Sequence, residues 1–219
     1  LVVGVLLLVA YSSYAKNNED AILPLSLFRT RTFRLGIIAN IFIRLSASGV
    51  PFLLPLMFQL SFGYSAEMSG WLLAPIALIS VILKILIGRI LNRWGYKTTL
   101  ISSALLMAGS VISMAWLDKQ SSLTWIICNL MWYGACMSMI FTSINTLTVG
   151  DLSKQQAGTG STVLSIVQQV GIGFGIAISS IILNLYRHFF SESDGLQRAF
   201  SYTFLTSSLF AIALVWSLM

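Results

Sequence analysis

Long apolar runs separated by short polar stretches make up most of the sequence. A helix needs about 20 apolar residues to cross the roughly 30 Å hydrocarbon core of a bilayer. The pattern predicts six transmembrane helices, and their short connectors are typical of antiparallel neighbours. The predicted spans cover approximately residues 35–59, 69–87, 98–116, 123–149, 160–186 and 200–219.

A further apolar run opens the chain. Residues 1–13 are too few for a complete span and predict the end of a transmembrane linker helix, and 14–34 form a polar connector behind it. The run has neither an initiator Met nor the basic leader and small-residue cleavage site of a signal peptide. We therefore expect the sequence to be a fragment of a longer chain.

Composition agrees with a membrane location. Of 219 residues, 57% are hydrophobic and 9% charged, which is too apolar for a soluble globule. The net charge of +6 comes from residues scattered between apolar runs, so it forms no continuous patch and predicts no nucleic-acid partner. Cys128 and Cys136 would be about 12 Å apart on one helix, too far for a disulfide.

Basic residues predict the orientation, because Lys and Arg accumulate in cytoplasmic loops. If every run crosses the bilayer, eight basic residues fall on one side and three on the other. The first group is Lys16, Arg29, Arg31, Arg34, Arg89, Arg93, Lys97 and Lys154, and the second is Lys119, Arg187 and Arg198. We expect connector 14–34, the turn at 88–97 and the C-terminus to be cytoplasmic.

Acidic residues are all in loops or at span ends, and the single histidine, His188, is in a loop. Membrane proton carriers are usually buried Asp, Glu or His side chains. If transport is proton-coupled, the carrier should therefore lie outside this sequence. The sequence also lacks a phosphate-binding loop, a metal-ligand cluster and a Ser/His/Asp set. We expect neither an enzyme nor a metal or cofactor site.

Arg44 is the most informative residue. Counting from Arg34 puts it about 15 Å deep, near mid-bilayer, where an isolated Arg costs roughly 2.5–3.5 kcal/mol. Asn40 and Ser48 share its helix face at four-residue spacing, and Gln59 closes the span. We predict that this face lines a wet cavity. The alternative is that Arg44 caps backbone carbonyls freed by the prolines that follow it.

Further polar side chains lie on the fourth and fifth spans. Amides in hydrocarbon need partners, so Asn129, Tyr133 and Gln168 are predicted to contribute to the same cavity. Hydrogen bonding between helices without a ligand explains them equally well. The predicted substrate-binding set is Asn40, Arg44, Ser48, Gln59, Asn129, Tyr133 and Gln168.

The turn at 88–97 carries a recognisable pattern. Its Gly88, Asn92, Arg93, Gly95 and Lys97 resemble the loop signature of the Major Facilitator Superfamily, found between the second and third helices of each six-helix half. The usual Asp is replaced by Asn92. The resemblance implies a conformational-switch loop that docks against the other half of the transporter.

Longer stretches resemble one branch of that family, the MdtD-like group of fourteen-helix drug:proton antiporters of the EmrB/QacA type. They are Arg44-Leu45 with Ser48-Gly49 and Pro51-Phe52, Asn92 to Tyr96, and Ser143 to Thr148 with Asp151-Leu152. The resemblance implies an all-α membrane protein, here the C-terminal six-helix bundle (35–219) with the tail of a linker helix. It also implies a secondary transporter of the bacterial inner membrane that exports small molecules, with protons as coupling ion and a partner in the N-terminal half of the same chain.

The nature of the substrate stays open. A deep cation with no deep acid disfavours a purely cationic cargo, so small amphipathic or anionic compounds are expected. Organic acids or their metal chelates are the alternative. A non-transporting membrane sensor or scaffold would need no polar interior and is the alternative from another class.

Overall fold

The computed structural model describes residues 25–190 and 195–218, in which every regular element is helical. The predicted linker-helix end at 1–13 and the connector up to residue 24 lie outside the described residues. A 3₁₀ turn at Leu25–Arg29 precedes the helices. They are α1 Arg31–Ala47, α2 Val50–Leu60, α3 Ala66–Trp71, α4 Ala74–Trp94, α5 Tyr96–Met114, α6 Leu123–Gly150, α7 Lys154–Phe189 and α8 Gly195–Leu218.

Five segments of the described chain are long and apolar enough to cross a membrane, which confirms the all-α membrane class. They are Arg31–Leu60, Ala66–Trp94, Tyr96–Met114, Leu123–Gly150 and Gln155–Phe189. The sixth predicted span, 200–219, falls within α8 except for its last residue. Serine hydroxyls accept hydrogen bonds from backbone N–H groups at the starts of α3, α6 and α7. The first N–H groups of a helix have no partner within the helix, so these serines stabilise the helix starts.

The first predicted span is divided where proline requires it. Helix α1 ends at Ala47 and α2 begins at Val50, with Pro51 in its first turn. Because Pro51 has no N–H, the carbonyl of Ala47 loses its usual helical partner. The hydroxyl of Tyr133 on α6 donates to that carbonyl at 2.7 Å. A side chain of a neighbouring helix therefore stabilises the break.

The turn at 88–97 is shorter than predicted. Helix α4 continues through Asn92 and Arg93 to Trp94, and α5 starts at Tyr96, so only Gly95 lies outside a helix. Its φ of 77° and ψ of 160° suit glycine. Hydropathy marks where a chain leaves the hydrocarbon, whereas a helix continues until its hydrogen bonding is interrupted. The ten-residue loop is therefore corrected to a one-residue hinge.

Helix α1 lies at the centre of the bundle, in contact with α6, α7 and α8. Helix α5 packs on α6 and α8, and α4 packs on α6. In the most apolar 18-residue stretch of each span, the share of buried residues is 56% for Arg31–Leu60 but 11% for Ala66–Trp94 and 22% for Gln155–Phe189. Helices α4 and α7 therefore present broad apolar faces that the described residues leave uncovered.

Small residues set the closest helix approaches. A methyl group on Gly175 of α7 would lie 2.6 Å from the carbonyl oxygen of Arg44, and one on Gly171 would lie 2.9 Å from the Arg44 Cβ. Gly173 has no atom within 4 Å of that position. Two of these three closely spaced glycines of α7 thus pack against α1. Gly134 makes a similar approach to the backbone of Ile76, joining α6 to α4.

Candidate functional site

A polar cluster joins the three helices α1, α6 and α7 at the level of Arg44. The guanidinium Nη2 donates to Gln168 Oε1 at 3.0 Å. Gln168 Nε2 in turn donates to Asn145 Oδ1 at 2.9 Å. Helices α6 and α7 contact each other little and both pack on α1. The two hydrogen bonds, from Arg44 to Gln168 and from Gln168 to Asn145, therefore connect α6 and α7 across the gap between them. Helix α1 supplies Arg44.

An aromatic ring completes the environment of the Arg44 charge. The guanidinium carbon lies 4.0 Å from the centroid of the Phe141 ring, within the range of a cation–π interaction. Phe141 is one helical turn from Asn145, so the two contact the cluster from one face of α6. Arg44, Asn145 and Gln168 are each partly exposed. The cluster thus retains an open surface.

The charge of Arg44 is unneutralised within the described chain. Its contacts there are a neutral amide and an aromatic ring, and its Nε is buried without a hydrogen-bond partner. The described acids Glu67, Asp118 and Asp151 lie at the ends of helices or in loops. Arg44 donates to a side chain of α7, whereas the carbonyl freed by Pro51 is occupied by Tyr133. The Arg44 guanidinium is therefore an unneutralised cation that can bind an anion.

The glycines of α7 explain how this geometry arises. Gly171 and Gly175 follow Gln168 on the helix and allow α7 to lie directly against the backbone of α1 at Arg44. A larger residue at either position would push the helices apart. The Gln168 amide would then be too distant from the guanidinium. The cluster therefore depends on close packing immediately beside it.

Asn40 and Ser48 share the α1 face with Arg44 but make mainly local contacts. Asn40 is fully buried, and its Nδ2 donates to the Gly36 carbonyl at 3.2 Å. Its Oδ1 has no hydrogen-bond partner in the described chain. Ser48 is partly exposed and lies against Gly175 of α7. These two residues flank the cluster one turn to either side.

The other predicted site residues lie away from the open surface. Tyr133 is fully buried at the α1–α2 break, and Asn129 is buried with its amide donating to the Ser113 hydroxyl. Gln59 is exposed near the end of α2, beyond the helix break that follows Arg44. Of the predicted set, only Arg44 and Gln168 are bonded to each other among the described residues.

The residues of the turn form a separate group at one end of the bundle. Asn92, Arg93 and Lys97 are exposed. Gly88 is exposed as well, and no atom lies within 4 Å of the point where a methyl group on its Cα would stand. Gly88 therefore makes no close contact with another helix within the described chain. These residues are free to meet a partner surface.

Sequence reasoning did not assign Asn145 and Phe141 to the site. Asn145 was noticeable as an amide inside an apolar span, but Phe141 resembles any core aromatic. Their spacing of four residues was the one available signal, since it places both on one helix face. Which face meets Arg44 is decided by the packing of three helices that are distant in sequence.

Comparisons with known proteins agree with this architecture. The family model described as Major Facilitator Superfamily matches residues 1–176. HsrA of Haemophilus influenzae, named as a probable transport protein, is 93% identical over all 219 residues, which are 47% of its length. MdtD proteins, named for multidrug resistance, are 34% identical over 97% of the chain in Escherichia coli and 32% over 94% in Pectobacterium atrosepticum.

The chain spans about half the length of the curated relatives it matches, since it covers 47% of the HsrA protein and 45% of each of these two MdtD proteins. The family match extends over more than half of the chain, from the opening residues into α7. The helical bundle, the membrane-spanning segments and the turn signature at 88–97 point the same way. The chain belongs to the Major Facilitator Superfamily.

Proposed function

We propose that this chain supplies one half of a secondary active transporter that exports small anionic or amphipathic compounds by alternating access. The observation that carries the proposal is the partly exposed side chain of Arg44, whose guanidinium is held near the middle of a membrane-spanning segment by neutral partners. A cation at that depth needs water or an anion beside it. A substrate carboxylate reaching the gap between α6 and α7 would provide one.

The names of the relatives favour a small-molecule cargo. HsrA is named as a probable transport protein and the MdtD proteins for multidrug resistance. An unpaired cation in a low-dielectric site repels purely cationic drugs and attracts anions. Organic acids, free or as metal chelates, are therefore the narrower candidate within this proposal.

Proton coupling belongs to the same proposal. The described helices carry no acid at the level of Arg44, so the proton carrier would lie elsewhere in the transporter. Its ionised form would compete with the substrate for the guanidinium. Protonation of that acid would release Arg44 to bind an anion, which links substrate binding to proton movement.

The hinge at Gly95 would couple binding to movement. In the proposed orientation the 88–97 segment and the C-terminus are cytoplasmic in a bacterial inner membrane. Exposed Asn92 and Arg93 would dock against the other half and stabilise the outward-open state. Because Gly95 alone joins α4 to α5, the two helices would move together when this contact is released.

A non-transporting sensor or scaffold is less consistent with the site. Such a protein needs no solvent-accessible charge in its centre, and sealing Arg44 and Gln168 within packed protein would favour it. Both residues are partly exposed instead. We therefore favour transport over a sensor or scaffold function.

Export from inverted membrane vesicles by the complete transporter tests the proposal. Arg44→Gln should lower export of an anionic dye about tenfold or more, because a hydrogen bond to a charged group contributes about 1.5–3 kcal/mol. Gln168→Glu should also lower it, since the new carboxylate would neutralise Arg44. Lys84→Gln makes the same charge change as Arg44→Gln at an exposed position and should leave export unchanged.

The outcome against the proposal is equally defined. If Arg44→Gln exports the anionic dye at the parental rate, Arg44 has no part in substrate binding. Thermal unfolding of each variant in detergent separates loss of binding from loss of fold. Counterflow with a dicarboxylate or tricarboxylate, applied to the parent, distinguishes the organic-acid candidate from amphipathic compounds.

A further inference from the structure

A cleft of about 310 Å³ lies between α1, α5 and α6, away from the Arg44 cluster. Its walls are aliphatic, with Leu35 and Ile38 from α1, Leu100 from α5 and Leu147 from α6. The volume is at the lower end of the range for ligand sites, about 300–1,000 Å³. The cleft therefore has room for a narrow apolar group.

One end of the cleft is positively charged. Lys97, in the first turn of α5, lines it, is exposed, and has no acidic partner among the described residues. Thr32, in the first turn of α1, also lines it, and its hydroxyl oxygen is buried without a hydrogen-bond partner in the described chain. The starts of two helices face the same end, and helix N-termini favour anions. No acidic residue lines the cleft within the described ranges.

The charged end lies at the depth of lipid headgroups. Trp94 and Tyr96, on either side of Gly95, are exposed beside Lys97. Exposed aromatic residues at the ends of transmembrane helices are typical of the membrane–water interface. From there the cleft extends along α1 toward the hydrocarbon, where Leu35 and Ile38 are exposed on its rim. An occupant would thus have a polar end at the interface and an apolar end in the bilayer.

We propose that this cleft binds an anionic phospholipid from the leaflet on the Lys97 side, with an acyl chain along the aliphatic walls and the phosphate between Lys97 and Thr32. Basic pockets between transmembrane helices bind the headgroups of anionic lipids. The lipid supplies the acceptor that the Thr32 hydroxyl lacks and the counter-charge that Lys97 lacks. It also covers the exposed side of the gap between α1 and α5, which pack little on each other.

Lipid retention by the complete transporter tests the site. After delipidation in detergent, native mass spectrometry should detect one retained phosphatidylglycerol per protein and no retained phosphatidylcholine. Added phosphatidylglycerol should raise the unfolding temperature, whereas inorganic phosphate at the same concentration should not. Lys97→Gln should weaken phosphatidylglycerol binding about fivefold, the effect of one Lys near a charged headgroup. Lys84→Gln removes the same charge from an exposed position of α4 and should not weaken phosphatidylglycerol binding.

A second pair of variants tests the apolar wall. Leu35→Trp fills the mouth of the cleft and should abolish retention, while Leu106→Trp, on α5 at a similarly exposed position outside the cleft, should leave it intact. Equal retention of phosphatidylcholine, or equal losses in Lys97→Gln and Lys84→Gln, would overturn the proposal. Absence of any retained lipid from the parent would also overturn it and would indicate that another segment or a transported compound fills the cleft.

Discussion

Gly175 lies against the backbone of Arg44 and determines how closely α7 approaches α1. Gly175→Ala would place a methyl group 2.6 Å from the Arg44 carbonyl oxygen. We expect it to destabilise the protein by about 1–3 kcal/mol, as overpacking does, and to reduce export because Gln168 moves away from Arg44. Thermal unfolding in detergent and export from vesicles measure the two effects.

Gly173→Ala is the matched control for this prediction. It lies two residues away on the same helix, with no atom within 4 Å of the added methyl group. We expect stability to be unchanged or raised by up to about 1 kcal/mol, because Gly weakens a helix relative to Ala. Similar losses in both variants would show that the Gly175 contact does not set the helix spacing.

At the scale of single residues, the sequence identified Arg44 as unusual but did not identify the residues that contact it. The depth of Arg44 followed from counting along one helix, and Gln168 stood out as an amide in an apolar span. The bond between them requires that α1 and α7 be neighbours, and Phe141 requires that α6 turn one particular face toward α1. Tyr133 illustrates the same limit, since its hydroxyl has a structural partner in the carbonyl that Pro51 leaves free.

The connection between α4 and α5 depends on a single residue conformation. Gly95 has φ 77° and ψ 160°, a region that residues with a Cβ atom avoid. We expect Gly95→Ala to cost about 1–3 kcal/mol, measured as a lower unfolding temperature in detergent. Gly88→Ala, within α4 and with open space around it, should not lower stability. If the two substitutions had equal effects, the hinge would not be strained.

The positions of the described membrane-spanning helices followed from hydropathy, whereas their ends did not. Each described helical span contains its predicted counterpart or most of it, because about 20 apolar residues in a bilayer have few alternatives to a helix. The ends differ where polar residues such as Asn92 and Arg93 extend a helix beyond the hydrocarbon. The break before Pro51 was predictable because proline removes a backbone donor.

At the scale of the whole molecule, the uncovered apolar faces of α4 and α7 need a contacting surface. Ile85 on α4 is 78% exposed and Phe174 on α7 is 60% exposed, and both helices are mostly uncovered in the described chain. Apolar faces of membrane-spanning helices contact either lipid or another helix. We predict that in the complete transporter the faces of α4 and α7 contact the other half, whereas Leu106 of α5, 50% exposed, contacts lipid.

Reconstitution from two pieces tests this assignment. The 219-residue chain alone should not export in vesicles, because the proposed cavity needs both halves, and co-expression with the remaining half should restore export. Ile85→Trp should prevent restoration and co-purification of the halves, since the added bulk lies in their contact. Leu106→Trp should be tolerated, because a tryptophan in lipid displaces only acyl chains. Export by the lone chain, or equal tolerance of the two substitutions, would mean that α4 does not meet the other half, and the uncovered face would then belong to the lipid boundary.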